Sequence, residues 1–376
     1  MAILGVEKKQ REIGPELLRI FAMLLIILHH IAAYGDFVFE SVCFNSVFRA
    51  VLTFGGTTGV NIFVLISGYY SVKSKPRAKK AVLLISQTVF YCIVSYLVSC
   101  AVGVNAFRPK YLFYSSIPFV SNKGYWFITI YILLYALIPF INGGLQKLTK
   151  TQHILLIALF LIVWNIIPKT YGYFFSGQSY GLSELGWFVF AYSVGAYLRM
   201  YPIKLYKHRG IAILLFIGVS ALLIASKILL ETNVSFSGIK GTVFKVVLNL
   251  IGDSSLYGPI SFVFSVLALI VFQQSKLKPN RVVYMISAST FGVYLIHDSI
   301  WLKRFIWDDL FNLKGLSDSP HFVVDLFIVM IITFICCSII DILRKKLLEE
   351  PIFNSKLYAG LEDKIKKIFF KRSESE

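Results

Sequence analysis

Arg19 and His30 both lie in the apolar run ELLRIFAMLLIILHHIAAYG, where an ionisable side chain is costly unless it serves a cavity or a partner. They are eleven positions apart, about three turns at 3.6 residues each, so they project from one helix face. The rise between them is about 16 Å. Glu16 lies one turn before Arg19 and can pair with it. One stripe thus carries an acid, a base and an imidazole in line. His29 points about 100° away. An imidazole, with an ordinary pKa near 6.5, can take a proton, give one or attack a carbonyl. The structural alternatives are snorkelling of Arg19 to the headgroups and a hydrogen bond from His30 to a neighbouring helix.

Other polar groups fall at matching depths. Asn61 lies in GGTTGVNIFVLISGYYSVK, whose Gly55, Gly56, Gly59 and Gly68 allow close backbone approach. An interhelical hydrogen bond would also account for Asn61. Tyr125 and Trp126 open a further apolar run as interfacial aromatics. His297 and Asp298 close the run SASTFGVYLIHDSIW, with Tyr294 about one turn below His297. If the apolar runs are helices, His30, Asn61, Trp126 and His297 share one outer layer. The cluster Lys73, Lys75, Arg77, Lys79 and Lys80 sits at the opposite depth. It can hold topology, bind anionic headgroups or bind a phosphorylated cytosolic ligand.

The elements that must position these groups are transmembrane helices. The chain has 376 residues, 57% hydrophobic and 15% charged, with a mean hydropathy of +0.71. Soluble domains carry roughly 25% charged residues. Apolar runs near the bilayer-spanning length of roughly 20 residues recur at about 16–35, 55–72, 81–103, 124–143, 152–168, 185–200, 209–230, 255–273, 282–302 and 322–347. The first is too long for a signal-peptide core and lacks a clear cleavage site. The expected fold is all-α, a polytopic bundle of about ten transmembrane helices. Residues 1–350 form the membrane domain and 351–376 a short basic cytoplasmic tail.

Most of the 38 Lys and Arg residues fall in alternate loops and both ends if the N-terminus is inside. The positive-inside rule then places both termini in the cytoplasm. This accounts for the net charge of +18 without nucleic acid as a partner. The five cysteines show no metal-ligand spacing, and no metal is expected.

Together these segments resemble the membrane acyltransferase-3 family, from about Pro15 to Pro351. The family's basic residue, ten residues and histidine match Arg19 and His30. Its Gly-Val-Asp-Leu-Phe-Phe-x-x-Ser-Gly-Phe is similar to Gly59-Val60-Asn61-Ile62-Phe63-Val64-Leu65-Ile66-Ser67-Gly68-Tyr69, with Asn61 in place of the acid. The family's arginine pair is loosely matched by Arg77 and Lys80. Trp126 matches its helix-four tryptophan. Ser-Tyr-x-x-Tyr-Leu-x-His matches Thr290 to His297, and the closing Glu-x-Pro appears as Glu350-Pro351.

The resemblance implies an O-acyltransferase of the plasma membrane. It implies acyl-CoA, normally acetyl-CoA, as co-substrate rather than as a tightly bound cofactor. The acceptor it implies is a hydroxyl of a cell-surface polysaccharide or its lipid-linked precursor. On that reading the donor side is Arg19, Glu16, Arg77, Lys80 and Ser67. The catalytic set is His30, His297, Tyr294 and Asn61, the last three orienting His30 or stabilising an oxyanion. His29 and Trp126 line the acceptor side. Two other classes remain open on the residues alone: a glycan transporter without covalent chemistry, and a membrane glycan polymerase or glycosyltransferase.

Overall fold

Local signals place several helix starts. Thr149 and Gln152 form a reciprocal capping box, with the Gln152 amide oxygen accepting from the Thr149 N–H at 2.9 Å. The Asn280 side chain accepts from the Val282 N–H at 2.8 Å, and the Ser183 hydroxyl from the Gly186 N–H at 3.1 Å. Pro259 occupies a first helical position, where its missing N–H costs nothing. The computed structural model describes residues 12–74, 78–121, 125–171, 183–232 and 238–353. Among them every regular element is a helix.

Each expected apolar run falls on a helix. We label these α1 (Ile13–Tyr34), α2 (Phe54–Ser71), α3 (Ala78–Ala101), α4 (Trp126–Leu145), α5 (Lys150–Tyr171), α6 (Glu184–Met200), α7 (Arg209–Glu231), α8 (Pro259–Gln273), α9 (Arg281–His297) and α10 (Phe322–Arg344). Helix α5 contains a π turn at Ile162–Ile166. Among the described residues, 7 helices are long and apolar enough to cross a membrane. The other three, α6, α8 and α9, have 17, 15 and 17 residues. At 1.5 Å per residue they reach only about 22–26 Å, short of the roughly 30 Å hydrocarbon core. The 255–258 part of the eighth run precedes its helix, and Asp298–Leu302 follow α9 as turns. Further helices, among them Phe44–Leu52, Pro109–Ser116 and Gly238–Ile251, occupy segments expected to be loops.

Helices α1 and α2 form the centre. Helix α1 touches α2, α8, α9 and α10, and α2 also packs on α6 and α8. Glycine makes this density possible. A Cβ at Gly55 would strike the Leu25 carbonyl of α1, and one at Gly68 the Tyr192 carbonyl of α6. Two large buried cores result, beside a small one of Phe54, Leu223 and Phe264. One joins α2, α4, α6 and α8 around Ile62, Leu134, Trp187 and Leu269. The other joins α1, α3, α9 and α10 around Ile27, Tyr91, Leu295 and Leu326. Phe63 and Phe127 pack against both, marking the seam between them. Apolar side chains such as Leu214 and Ile335 face outward, as a bilayer requires.

Gly68→Ala should cost about 1–3 kcal/mol by overpacking a backbone contact. Gly143, on α4, has open space where a Cβ would stand. Gly143→Ala should instead gain about 0.5–1 kcal/mol of helix propensity. Thermal unfolding of the two variants in detergent checks the opposite signs.

Candidate functional site

Three helices turn matched stripes toward the seam. On α1 the stripe is Glu16, Arg19, Met23, Ile26 and His30, continuing to Tyr34 beyond one further turn. On α2 it is Gly56, Val60, Phe63, Ser67 and Tyr70, and on α9 Tyr284, Ser287, Phe291, Tyr294 and then Asp298. Each advances by alternating steps of three and four, which keeps one face toward one neighbour. They enclose a cavity of about 760 Å³, completed by Lys80 and Leu84 of α3 and by Trp126, Phe127 and Tyr131 of α4. Glu12 to Tyr34 spans about 33 Å of helix axis, so the cavity is a shaft much longer than it is wide.

His30 stands in the wall of this shaft and is buried. Its Nδ1 lies 2.9 Å from Nε2 of His297. Nδ1 of His297 lies 2.6 Å from the Val293 carbonyl oxygen, which can only accept. That carbonyl assigns the tautomers. His297 carries its proton on Nδ1 and donates it to Val293, so its Nε2 accepts. His30 must then donate from Nδ1, which leaves Nε2 as its lone-pair nitrogen. The imidazole also stacks on Tyr34, ring centroids 5.2 Å apart. A neutral imidazole held in one tautomer, with its free nitrogen on a cavity wall, is the arrangement of a general base. Among the described residues no carboxylate hydrogen-bonds to either ring.

At the opposite end of the α1 stripe, Arg19 donates to Glu16 at 2.7 Å and remains 31% exposed. Glu16 also accepts from the Ser287 hydroxyl. Lys80 lines the same end. Arg77 lies outside the described residues. Ser67 donates to the Phe63 carbonyl and contacts the Tyr131 hydroxyl, each at 2.8 Å. Near His30, His29 lines the cavity while Nδ1 donates to the Thr53 carbonyl at 2.8 Å. Trp126 lines it at 41% exposure. The Tyr294 hydroxyl is buried without a hydrogen-bond partner among the described residues.

Two expectations fall differently. Asn61 does not line the cavity. Its oxygen accepts from Trp187 Nε1 at 2.8 Å and its amide donates to the Leu256 carbonyl at 3.3 Å, so it joins α2, α6 and the segment before α8. Tyr125 is not an interfacial aromatic. It is buried, donating from its hydroxyl to the Leu295 carbonyl at 2.6 Å. Sequence reasoning gave no role to Tyr34, Lys303 or Asp298, the last noted only beside His297, and the structure brings all three to the cavity wall. Tyr34 stands one turn beyond His30 and Asp298 next to His297, so proximity to both histidines was the available signal. A second polar cluster was not anticipated. Asp341 of α10 accepts from Gln87, Tyr91 and Arg344 at 2.8–2.9 Å, joining α3 to α10.

If Asn61 serves packing, Asn61→Ala leaves the Trp187 N–H unpaired and should cost about 1–3 kcal/mol. A fall in melting temperature, with the chemistry of the remaining folded protein intact, is the expected outcome.

A family model described as an acyltransferase domain matches residues 12–342. No curated protein and no solved structure gives a match.

Proposed function

We infer what this protein does from the premise that it belongs to the acyltransferase-3 family, a family of membrane acyltransferases. On our reading it transfers an acyl group, acetyl from acetyl-CoA, to a hydroxyl of a cell-surface polysaccharide or its lipid-linked precursor. The observation that carries this is the chain from Val293 through His297 to His30 inside the shaft, which leaves one imidazole nitrogen ready for a proton.

The helices α1–α10 are the ten crossings of this reading. Both ends of the chain lie in the cytoplasm, and the bilayer is the plasma membrane. The distribution of Lys and Arg supports that orientation. The donor then enters from the Arg19 and Lys80 end, where cations suit its phosphates. Its narrow thioester arm follows the shaft to His30, about 16 Å further. The acceptor enters from the Trp126 end.

His30 Nε2 removes the acceptor's hydroxyl proton as the oxygen attacks the thioester carbonyl. The carbon–sulfur bond breaks, and the departing thiolate takes the proton from His30. During that interval both nitrogens of His30 are protonated, and Nδ1 donates a charge-assisted hydrogen bond to His297. The Tyr294 hydroxyl, on the cavity wall, supplies a donor for the carbonyl oxygen as charge develops.

His30→Ala should lower transfer of labelled acetyl by about 10²–10⁴-fold. Normal incorporation in that variant, with folding verified, would sink the assignment. His297→Gln should retain more transfer than His297→Ala, because a glutamine oxygen can accept from His30 Nδ1. Arg19→Ala should raise the KM for acetyl-CoA more than it lowers kcat. Movement of a glycan across the membrane without labelled acetyl in the product would favour transport instead.

A further inference from the structure

The chemistry proposed for His30 leaves open which groups hold the acceptor at the outer mouth of the shaft. Asp298 ends α9 there, buried to 4% exposure yet lining the cavity. One of its oxygens accepts from the Tyr34 hydroxyl at 3.2 Å. Among the described residues the second makes no hydrogen bond and no ion pair, and Asp298 lines the cavity. Tyr294, one turn earlier on α9, is buried beside it. A buried carboxylate that keeps an oxygen for the cavity is expensive unless something in the cavity meets it.

The charges around them narrow what that is. The Lys303 ammonium lies 4.4 Å from the Tyr34 ring centroid and lines the same mouth. An anion would meet Asp298 and a cation would meet Lys303, so both are disfavoured by repulsion at close range. A hydroxyl donates and accepts, which neither ion does. It can give its proton to Asp298 and accept from Lys303. Two hydroxyls on adjacent carbons satisfy the mouth better than one. Trp126 adds an aromatic surface at the rim, suited to the apolar face of a ring.

We propose that Asp298, flanked by Tyr34, Lys303 and Trp126, binds a neutral vicinal diol of a pyranose ring and so selects a sugar acceptor. This rests on the acyl-transfer reading above for its place in a reaction, but not for the binding itself. Asp298 is therefore an acceptor-binding group, distinct in role from the base His30. It holds the acceptor ring while a further hydroxyl of that ring faces the imidazole.

The test uses the full chain in lipid nanodiscs and a panel of methyl hexopyranosides, read by saturation-transfer NMR. Cyclohexanol, a ring with one hydroxyl, serves as the control probe. At least one pyranoside should bind, with affinity falling roughly tenfold or more in Asp298→Asn. Cyclohexanol should show no contact sensitive to that substitution. A wild-type protein that binds no pyranoside overturns the proposal, as does binding undiminished in Asp298→Asn. If that variant does not fold, Trp126→Ala carries the test, since its half-open side chain tolerates truncation. Undiminished binding there also overturns the proposal. Thioester cleavage by the wild type is measured separately. Cleavage of acetyl-CoA without pyranoside binding removes only the diol site. Pyranoside binding lost with Asp298, in a protein that cleaves no thioester, removes the acyl-transfer reading and leaves the site standing.

Discussion

Hydrocarbon offers no hydrogen bonds, so a polar side chain in a membrane helix must find its partner within the protein. Here the partner is repeatedly a backbone carbonyl. His297 donates to Val293, Tyr125 to Leu295, Asn61 to Leu256, Asn165 to Tyr257, and His153 pairs with Ser193. A helical carbonyl already accepts one bond and has a second lone pair to offer. Because it cannot donate, each such contact also dictates which atom of its partner carries the proton. The Val293 carbonyl does so for His297, His297 does so for His30, and the free nitrogen of the site follows from that sequence.

That relay needs α1 and α9 side by side, and their packing depends on the crowded centre. Gly55 and Gly68 let α2 approach α1 and α6 to backbone contact. Larger residues would push α2 away and open the seam where the stripes of α1, α2 and α9 meet. The same constraint explains why the seam holds a shaft rather than a packed core. Phe63 and Phe127 bridge the two cores, but between them the stripes present small or polar groups such as Gly56, Ser67, Ser287 and Ala288. These fill less space than the leucines and isoleucines to either side.

The helical stripe from Glu16 to His30 was legible in the sequence because helical period and polarity coincide in one segment. The apolar runs were legible for a similar reason, since each is dense enough to mark a helix. The helix ends were not. Whether Asp298 continues α9 or turns out of it is settled by neighbours, and hydropathy sees no difference. Asn61 misled because depth along a helix can be read from sequence but direction around the bundle cannot. It shares a layer with His30 yet faces Trp187. Tyr125 fails the same way: an aromatic at a helix start suits the interface until α9 covers it. Tyr34 and Asp298 carry no signal beyond their neighbours, and only the fold shows that one bonds the other.

Among the described residues a backbone carbonyl, not a carboxylate, stands behind the His30–His297 pair, and this bears on how the proposed reaction runs. In a serine-protease-like triad an aspartate stabilises the imidazolium that forms when the base takes its proton. Here Asp298, next in sequence to His297, turns instead to Tyr34 and the cavity. The pair is backed by a peptide carbonyl, which orients well but carries no net charge. An imidazolium in this wall is therefore stabilised less than in a triad, which favours rapid passage of the proton to the departing thiolate. A thioester donor suits such a base, because a thiolate is a good leaving group and needs its proton late. The same divergence frees Asp298 for a separate task. With Asp298 turned to the cavity rather than to His297, the proposed base and the proposed acceptor-binding group stand on different helices: His30 on α1, oriented by His297, and Asp298 at the end of α9.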